Sequence, residues 1–512
     1  MAFHSILFET PEDGPTHGDV VAEPDFFGDL NLDQMVAEAI KGYAEYDLAP
    51  FFYMPLSRAG AIVYRQEVMR DLENPTVLES VKAFARGMRT MRARLSQADK
   101  LYYRLQKQWW QLDSAAIYRE TLSTFSDAIQ AAEPRSKGFR ALVLYLSNYR
   151  ASERFQSLLR DVDEVERELA AVQYCTLVKG SAVTVRRYDG ERDYSDEVLG
   201  IFEKFKQDVG KERCEAPRES PDMNHVEAQV LDYVARLHPQ PFTKLAAFCA
   251  QHADYLDGTI ATFDREVQFL LAYAAYLGPC RVQGLAFCYP HVTTASKAVH
   301  CEDTFDLVLA HKLSTDSAPV VCNDLHLAEG ERLVVVSGPN NGGKTTFARM
   351  FGQLHYLARL GCPVPGCNAR LFLCDALYTH FEREENTKDM RGKLRDDLVR
   401  IHGILTQATS DSVIVMNEIF SSTTLADGLF LSKRIIGAIL ELGALCVCVT
   451  FIGELARLSD AAVSMASEID PAAPALRTYR IRRRDAGSKA YAISVAQQYG
   501  LTSERLKERL GL

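Results

Sequence analysis

The amino-acid sequence predicts a two-part chain: an α-helical N-terminal region followed by a C-terminal α/β domain built on a largely parallel sheet. Three observations predict it. Apolar residues recur at helical spacing over most of residues 74–276. From about Asp303 the texture changes to short β-rich runs separated by helical segments, the alternation that describes a parallel sheet with helices packed on it. One of those runs, "RLVVV", leads directly into the glycine-rich turn "SGPNNGGKTTFARM" at 337–350.

At 512 residues the chain has room for about two to four domains. The first forty residues are acidic, contain Pro11, Pro15 and Pro24, and show no strong period, so 1–40 reads as a poorly defined arm. A helical region is expected over 41–300. In "ENPTVLESVKAFARGMRTMRARL", Asn74 is the candidate N-cap and Pro75 occupies the first helical position. Val77, Leu78, Val81, Phe84, Ala85, Met88, Met91 and Leu95 then fall on one face. Similar patterns recur over 101–130, 139–174 and 224–276. One interruption, "YCTLVKGSAVTVRRYDG", alternates and turns at Lys179-Gly180-Ser181, which predicts a β-hairpin near 175–190. The α/β domain is expected over 301–512, with strands in "FDLVLA", "RLVVVSG", "RLFLCDALY", "SVIVMNEIF" and "ALCVCVTF".

Composition excludes several classes. Hydrophobic residues at 47% and charged residues at 25% are ordinary for a globular protein. No run of about 18 uncharged apolar residues is present, and "MAFHSILFETPEDGP" lacks a basic start and a long apolar core. No membrane association and a cytoplasmic location are the expectation. Twelve cysteines form no zinc box; Cys446 and Cys448 read as members of a buried strand. A net charge of −10 argues against coating nucleic acid through bulk electrostatics and leaves local basic contacts open.

The chemistry concentrates at the glycine-rich turn. Gly338, Pro339, Asn340, Asn341, Gly342, Gly343, Lys344 and Thr345 complete G-x-x-x-x-G-K-[ST], and Thr346 continues into a helix. Glycines let the backbone curl so that its N–H groups face phosphate oxygens, and the following helix adds its positive end. Lys344 would reach the outer phosphates of a nucleotide and the Thr345 hydroxyl would coordinate Mg²⁺. An apolar strand ending in carboxylates should complete the site. "SVIVMNEIF" supplies it, with Glu418 placed to polarise an attacking water and Asn417 where an aspartate steadying the Mg²⁺ shell is usual. An amide offers an oxygen without the negative charge, so weaker Mg²⁺ binding and slower hydrolysis are expected. The hairpin carries Lys179, Arg186 and Arg187, which are either ordinary surface charges or contacts to a nucleic-acid backbone.

At these residues the sequence resembles the MutS family of DNA mismatch-repair ATPases. "VVVSGPNNGGKTTFARM", the preceding "APVVCNDLHL", "ALYTHF", "IVMNEIFSSTTLADG" and the closing "GSKAYAISVAQQYGLTSERLKERL" resemble the family's segments in the family's order. The resemblance places Asn323 on the nucleotide-base side. It implies an α-helical core and lever ahead of an ABC-like α/β P-loop NTPase domain whose C-terminal helices dimerise. ATP and Mg²⁺ are the implied cofactors. A homodimer through the ATPase domains, gripping duplex or branched DNA, is the implied assembly. "IVYRQEVMRDLENP" and "DREVQFLLAYAAYL" resemble the core and the helix returning to the ATPase, and the hairpin takes the place of the DNA clamp in reduced form.

Several departures bear on function. The mismatch-wedging domain and an added nuclease-like domain are expected to be absent. Phe451 stands in "VTFIGEL" where "THY" is usual, and the serine-containing signature that reaches across the dimer is not recognisable in "NTKDMRGKLRDDL". The expected function is therefore an ATP-controlled dimeric clamp on DNA, in repair or recombination, with slow ATPase turnover. The competing reading is a nucleotide-dependent scaffold or signalling ATPase that no longer binds DNA. Trp109 and Trp110 read as core, "RIRRRDAG" as an exposed strand edge rich in arginine, and His380 as the one histidine near the nucleotide site.

Overall fold

The computed structural model describes residues 3–14, 21–180, 182–191, 223–382, 393–420, 423–469 and 477–484. The chain divides into two compact units. The first takes residues 1–3, 74–134 and 140–264; the second takes 4–73, 135–139 and 265–512.

The first unit is helical. Asn74 caps the helix Pro75–Lys100, its side chain accepting from Thr76 N, and Val77, Val81, Phe84, Met88 and Met91 form the buried face. The helix Arg104–Ala131 follows. Phe84 and Phe125 approach to 4.5 Å between ring centroids, and Phe263 closes the cluster. The helices Glu153–Ala170, His225–Leu237 and Pro239–Gln251 also belong to this unit, as do most of Lys137–Ala151 and the start of Gly258–Tyr276. The hairpin is present as β1 (Tyr174–Lys179) and β2 (Ala182–Arg187), paired antiparallel with Lys179 opposite Ala182. Trp109 departs from the core expectation: it is 48% exposed, while Trp110 lies beneath the Arg94 guanidinium at 4.5 Å.

The second unit is built on a six-stranded sheet. Its strands are β7 (Leu333–Ser337), β10 (Leu377–Phe381), β11 (Val413–Asn417), β12 (Leu445–Val449), β13 (Ala462–Ile469) and β14 (Arg477–Arg483), in the order β10-β11-β12-β7-β13-β14. Only the β13–β14 pairing is antiparallel. The central strands are near-continuous apolar runs because helices cover the sheet, and Cys446 and Cys448 are fully buried in β12. A smaller four-stranded sheet contains β4 (His291–Thr293), β5 (Val299–Thr304), β6 (Asn323–Leu327) and β9 (Asn368–Phe372), in the order β4-β9-β5-β6. The short strand β3 (Phe287–Cys288) pairs with β8 (Val364–Pro365). "FDLVLA" is not a strand. Asp306 accepts from Val308 N and Leu309 N and so starts the helix Leu307–Thr315; a short buried apolar run carries no period, and the cap decides it. Among the described residues no helix is long and apolar enough to cross a membrane.

The division differs most from expectation at the N-terminus. The described residues within 1–40 are not a loose arm: Ile6, Leu7, Phe27, Leu30 and Leu32 are fully buried, and residues 4–73 cluster with the α/β part. This segment lies against the helix Lys344–Arg359 of the same unit. Gln353 Nε2 donates to Leu30 O, Tyr356 OH to Phe52 O, and Arg349 Nε to Asp29 O. Before Asn31 its apolar residues are buried with little regular structure and show no period. The helix Leu32–Ala39 buries Leu32, Met35, Val36 and Ala39 at helical spacing, a signal too short to stand out in the sequence. Its start is clamped by buried Glu266, which accepts from Ser5 Oγ and Ile6 N, while Ser5 Oγ accepts from Leu7 N and Phe8 N.

Burial pushes the Glu266 carboxyl up to about 7, against the lowering effect of the Ser5 and Ile6 bonds and of the Arg65 charge. The folded state thus holds this proton more tightly than the unfolded chain. The stability that it contributes is complete at low pH and is lost as pH rises through about 7. The wild-type melting temperature, measured relative to that of Glu266→Gln, should fall between about pH 5 and about pH 8; a pH-independent difference contradicts this.

Candidate nucleotide-binding site

The glycine-rich loop leaves the carboxyl end of β7, whose Leu333–Val336 side chains are buried in the middle of the sheet. Its residue choices follow from one close approach. Ser467 on β13 donates from Oγ to Gly342 O at 3.0 Å. A Cβ on Gly342 would stand 2.7 Å from that Oγ and 3.0 Å from Pro339 O, and a Cβ on Gly338 would stand 2.9 Å from Ser467 Cβ. Gly343 has φ +88 and Asn341 φ +58, the left-handed region that glycine and asparagine tolerate. The helix then begins at Lys344. Ser467 lies far along the chain from the motif and no sequence signal identified it.

Lys344 is 4% exposed. Its ammonium donates to Gly338 O at 2.9 Å and Pro339 O at 3.0 Å, reaches Asn340 Oδ1 at 3.5 Å, and lies 4.4 Å from the centroid of the Phe451 ring. Among the described residues it has no carboxylate within ion-pair distance. Burial lowers its pKa; Glu418 opposes the shift and Arg477 adds to it. A buried cation held only by neutral groups is costly unless an anion joins it. Thr345 Oγ1 donates to Asn417 Oδ1 at 3.0 Å, joining the loop helix to the end of β11. Glu418 follows at φ +53, its N–H bonded to Val449 O at 2.9 Å, and Phe420 has φ +60. Two non-glycine residues in the left-handed region within three positions store local strain, which clusters at functional sites.

Beside the loop lies a cavity of about 460 Å³. Asn341, Gly343 and Thr346 form its loop end, Phe305, Leu309, Val321 and Met350 its apolar wall, and Asp306 and Asn323 its polar groups. Asn323 Nδ2 donates to Tyr479 O at 3.2 Å and its Oδ1 accepts from Ile481 N at 2.6 Å. Both ends of the amide are therefore engaged, and they hold Tyr479, at φ +57, against the cavity. His380 is buried on β10, with Nε2 3.3 Å from Asp397 Oδ1, inside the packing of the helix Lys393–Gln407.

The hairpin cations are not equivalent. Lys179 is exposed, Arg186 pairs with Glu191 at 2.8 Å, and Arg187 donates through Nε and Nη2 to Leu237 O at the end of the helix His225–Leu237. Arg482 and Arg483 pair with Glu468 and Glu331 on the outermost strand, β14. Among the described residues no group of three or more His, Cys, Asp or Glu side chains could hold a metal. The oxygens of Thr345 and Asn417 are donors of the type that Mg²⁺ takes when phosphate and water supply its remaining positions. The closing segment "GSKAYAISVAQQYGLTSERLKERL" and Ser421 and Ser422 lie outside the described residues, as does most of "NTKDMRGKLRDDL".

The sequence profile of MutS domain V matches residues 334–509, the stretch that carries the loop, Asn417 and Glu418. The chain is similar to the DNA mismatch repair protein MutS of Chlorobium phaeobacteroides, 27% identical over 62% of this chain and 36% of that protein. It is similar also to the DNA mismatch repair protein MutS of Chlorobaculum tepidum, 25% identical over 78% of this chain and 45% of the other. Endonuclease MutS2 of Gemmatimonas aurantiaca is 30% identical over 39% of this chain and 25% of its own length. The matches thus span less than half the length of these curated relatives. The C-terminal part of the chain, residues 334–509, thus carries a MutS domain V.

Proposed function

We propose that the chain is an ATP-binding, DNA-binding protein of the mismatch-repair ATPase type, in which triphosphate capture controls how two copies pair. The observation that carries this reading is Lys344, a buried ammonium held by Gly338 O and Pro339 O with no carboxylate of the described residues within ion-pair distance. The backbone amides of 340–343 and Lys344 would take the outer phosphates, and the cavity lined by Val321, Met350 and Tyr479 would take the base. Thr345 and Asn417 would hold Mg²⁺, which when bound neutralises phosphate charge. Glu418 is the candidate to orient water. Differential affinity for open and closed pairs is what would convert capture into movement. A cytoplasmic location goes with this reading.

Turnover should be slow. Asn417 lacks the charge of an aspartate, and Phe451 puts an aromatic face rather than a proton donor beside Lys344. The DNA component rests on the family relatives and on Lys179. The engagement of Arg186 with Glu191 and of Arg187 with Leu237 O favours the competing reading, a nucleotide-dependent scaffold without DNA. A mobility-shift assay on homoduplex, mismatched and branched DNA, with and without ATP, separates the two. ATP-dependent retardation of at least one DNA is expected, and equal failure on all three removes DNA from the function.

Two variants test the site itself. Gly342→Ala should lower triphosphate affinity by ~10-fold or more, because its Cβ would collide with Ser467 Oγ and Pro339 O and deform the loop. Unaltered affinity in a titration contradicts the loop's role. Asn417→Asp should raise ATP turnover at limiting Mg²⁺; an unchanged rate contradicts the explanation of slow hydrolysis.

A further inference from the structure

The cavity beside the loop contains one charged side chain with an unused acceptor. Asp306 Oδ1 accepts from Val308 N at 3.0 Å, Leu309 N at 3.1 Å and Gln353 Nε2 at 2.9 Å. Gln353 is itself fully buried, and its Oε1 accepts from Leu307 N at 2.8 Å. Three donors therefore fix the rotamer and saturate Oδ1. Oδ2 receives no hydrogen bond from a described residue, and Asp306 lines the cavity. The helix cap needs only Oδ1, so capping leaves the second oxygen unexplained.

The placement suits a base. Gln353, which holds Asp306, lies on the same helix as Thr346 of the loop, seven residues further on. That is a rise of roughly 10 Å at ~1.5 Å per residue, comparable to the reach of a ribose and purine beyond a phosphate at the helix start. The walls between are largely apolar, from Leu309, Val321, Met350 and Phe347, and suit a flat aromatic face. A single fixed acceptor matches adenine, whose 6-amino group donates. Guanine presents a 6-keto oxygen at that position, which would set acceptor against carboxylate, and its N1–H and 2-amino pair asks for two free oxygens where one is present.

We propose that Asp306 selects the base: its Oδ2 accepts a hydrogen bond from the 6-amino group of adenine, so that the site prefers ATP to GTP. This inference rests on the triphosphate-binding reading above. Asp306→Asn tests it with little disturbance, since asparagine caps helices as well as aspartate. Only its oxygen can accept from Val308, Leu309 and Gln353, so the amide nitrogen must take the place of Oδ2 and present a donor to the base. Asp306→Ser keeps a cap but withdraws the acceptor.

The measurement is equilibrium binding of ATP and of GTP, each with Mg²⁺ at neutral pH, to the full chain and both variants. Wild type should prefer ATP by roughly 10-fold or more, the effect of one hydrogen bond made against one blocked. Asp306→Asn should move the ATP-to-GTP affinity ratio at least ~10-fold toward GTP, and Asp306→Ser should bring it near one. A wild type that binds both equally, or variants that keep the wild-type ratio, overturn the role of Asp306 and leave triphosphate binding standing. Failure of wild type to bind either nucleotide overturns the parent reading and this one together.

Discussion

Burial of the helix that begins at Lys344 is the constraint on which the rest of the second unit depends. From Met350 to Arg359 every residue of it is buried. Polar side chains on so buried a helix must find partners inside the protein, and Arg349, Gln353, Tyr356 and Arg359 find them on backbone oxygens of Asp29, Leu30, Phe52 and Leu56. The N-terminal segment is thus the second wall of the helix rather than an appendage. With its length clamped, the helix presents its first turn in a set orientation toward the loop. Ser467 then holds the loop from the opposite side. A phosphate-sized anion would meet groups already positioned, and preorganisation of this kind reduces the cost of binding.

Much of this was legible because some residue types tolerate few environments. Asn74 followed by Pro75 announces a helix start, and the structure has one there. Residues 333–337 form a buried strand running into the loop, because a β-branched run ahead of glycines leaves little else. Lys179, Gly180 and Ser181 in an alternating sequence gave a hairpin that the structure contains. What stayed hidden was of two kinds. Irregular buried backbone has no period, so the described residues before Asn31 gave no signal, and the two-turn helix Leu32–Ala39 is too short for its period to stand out. Contacts between distant residues leave no local trace: Ser467 against Gly342, Arg187 against Leu237 O, and Gln353 against Asp306 are set by the fold alone. The reading of 305–310 as a strand failed for a milder reason, since an apolar run of that length suits either state and one capping carboxylate decided it.

The same contrast separates the two halves of the function. At the loop, independent constraints converge: glycines where a Cβ would collide, a buried cation that no carboxylate of the described residues pairs, and a hydroxyl and an amide oxygen 3.0 Å apart. At the hairpin they diverge, because two of the three cations singled out already have partners within the chain. Phosphate contacts on DNA need charges free to displace counterions. The nucleotide part of the account therefore stands on more physical support than the DNA part.

The central claim is that the buried ammonium of Lys344 waits for the outer phosphates of a nucleotide, and that their arrival changes self-association. Its most direct test is a titration of Mg²⁺-ATP into wild type and Lys344→Ala, with bound nucleotide and sedimentation followed in the same samples. The account predicts that wild type binds and shifts its association state, and that the variant does neither while remaining folded. Equal binding and equal association in the two proteins would contradict it.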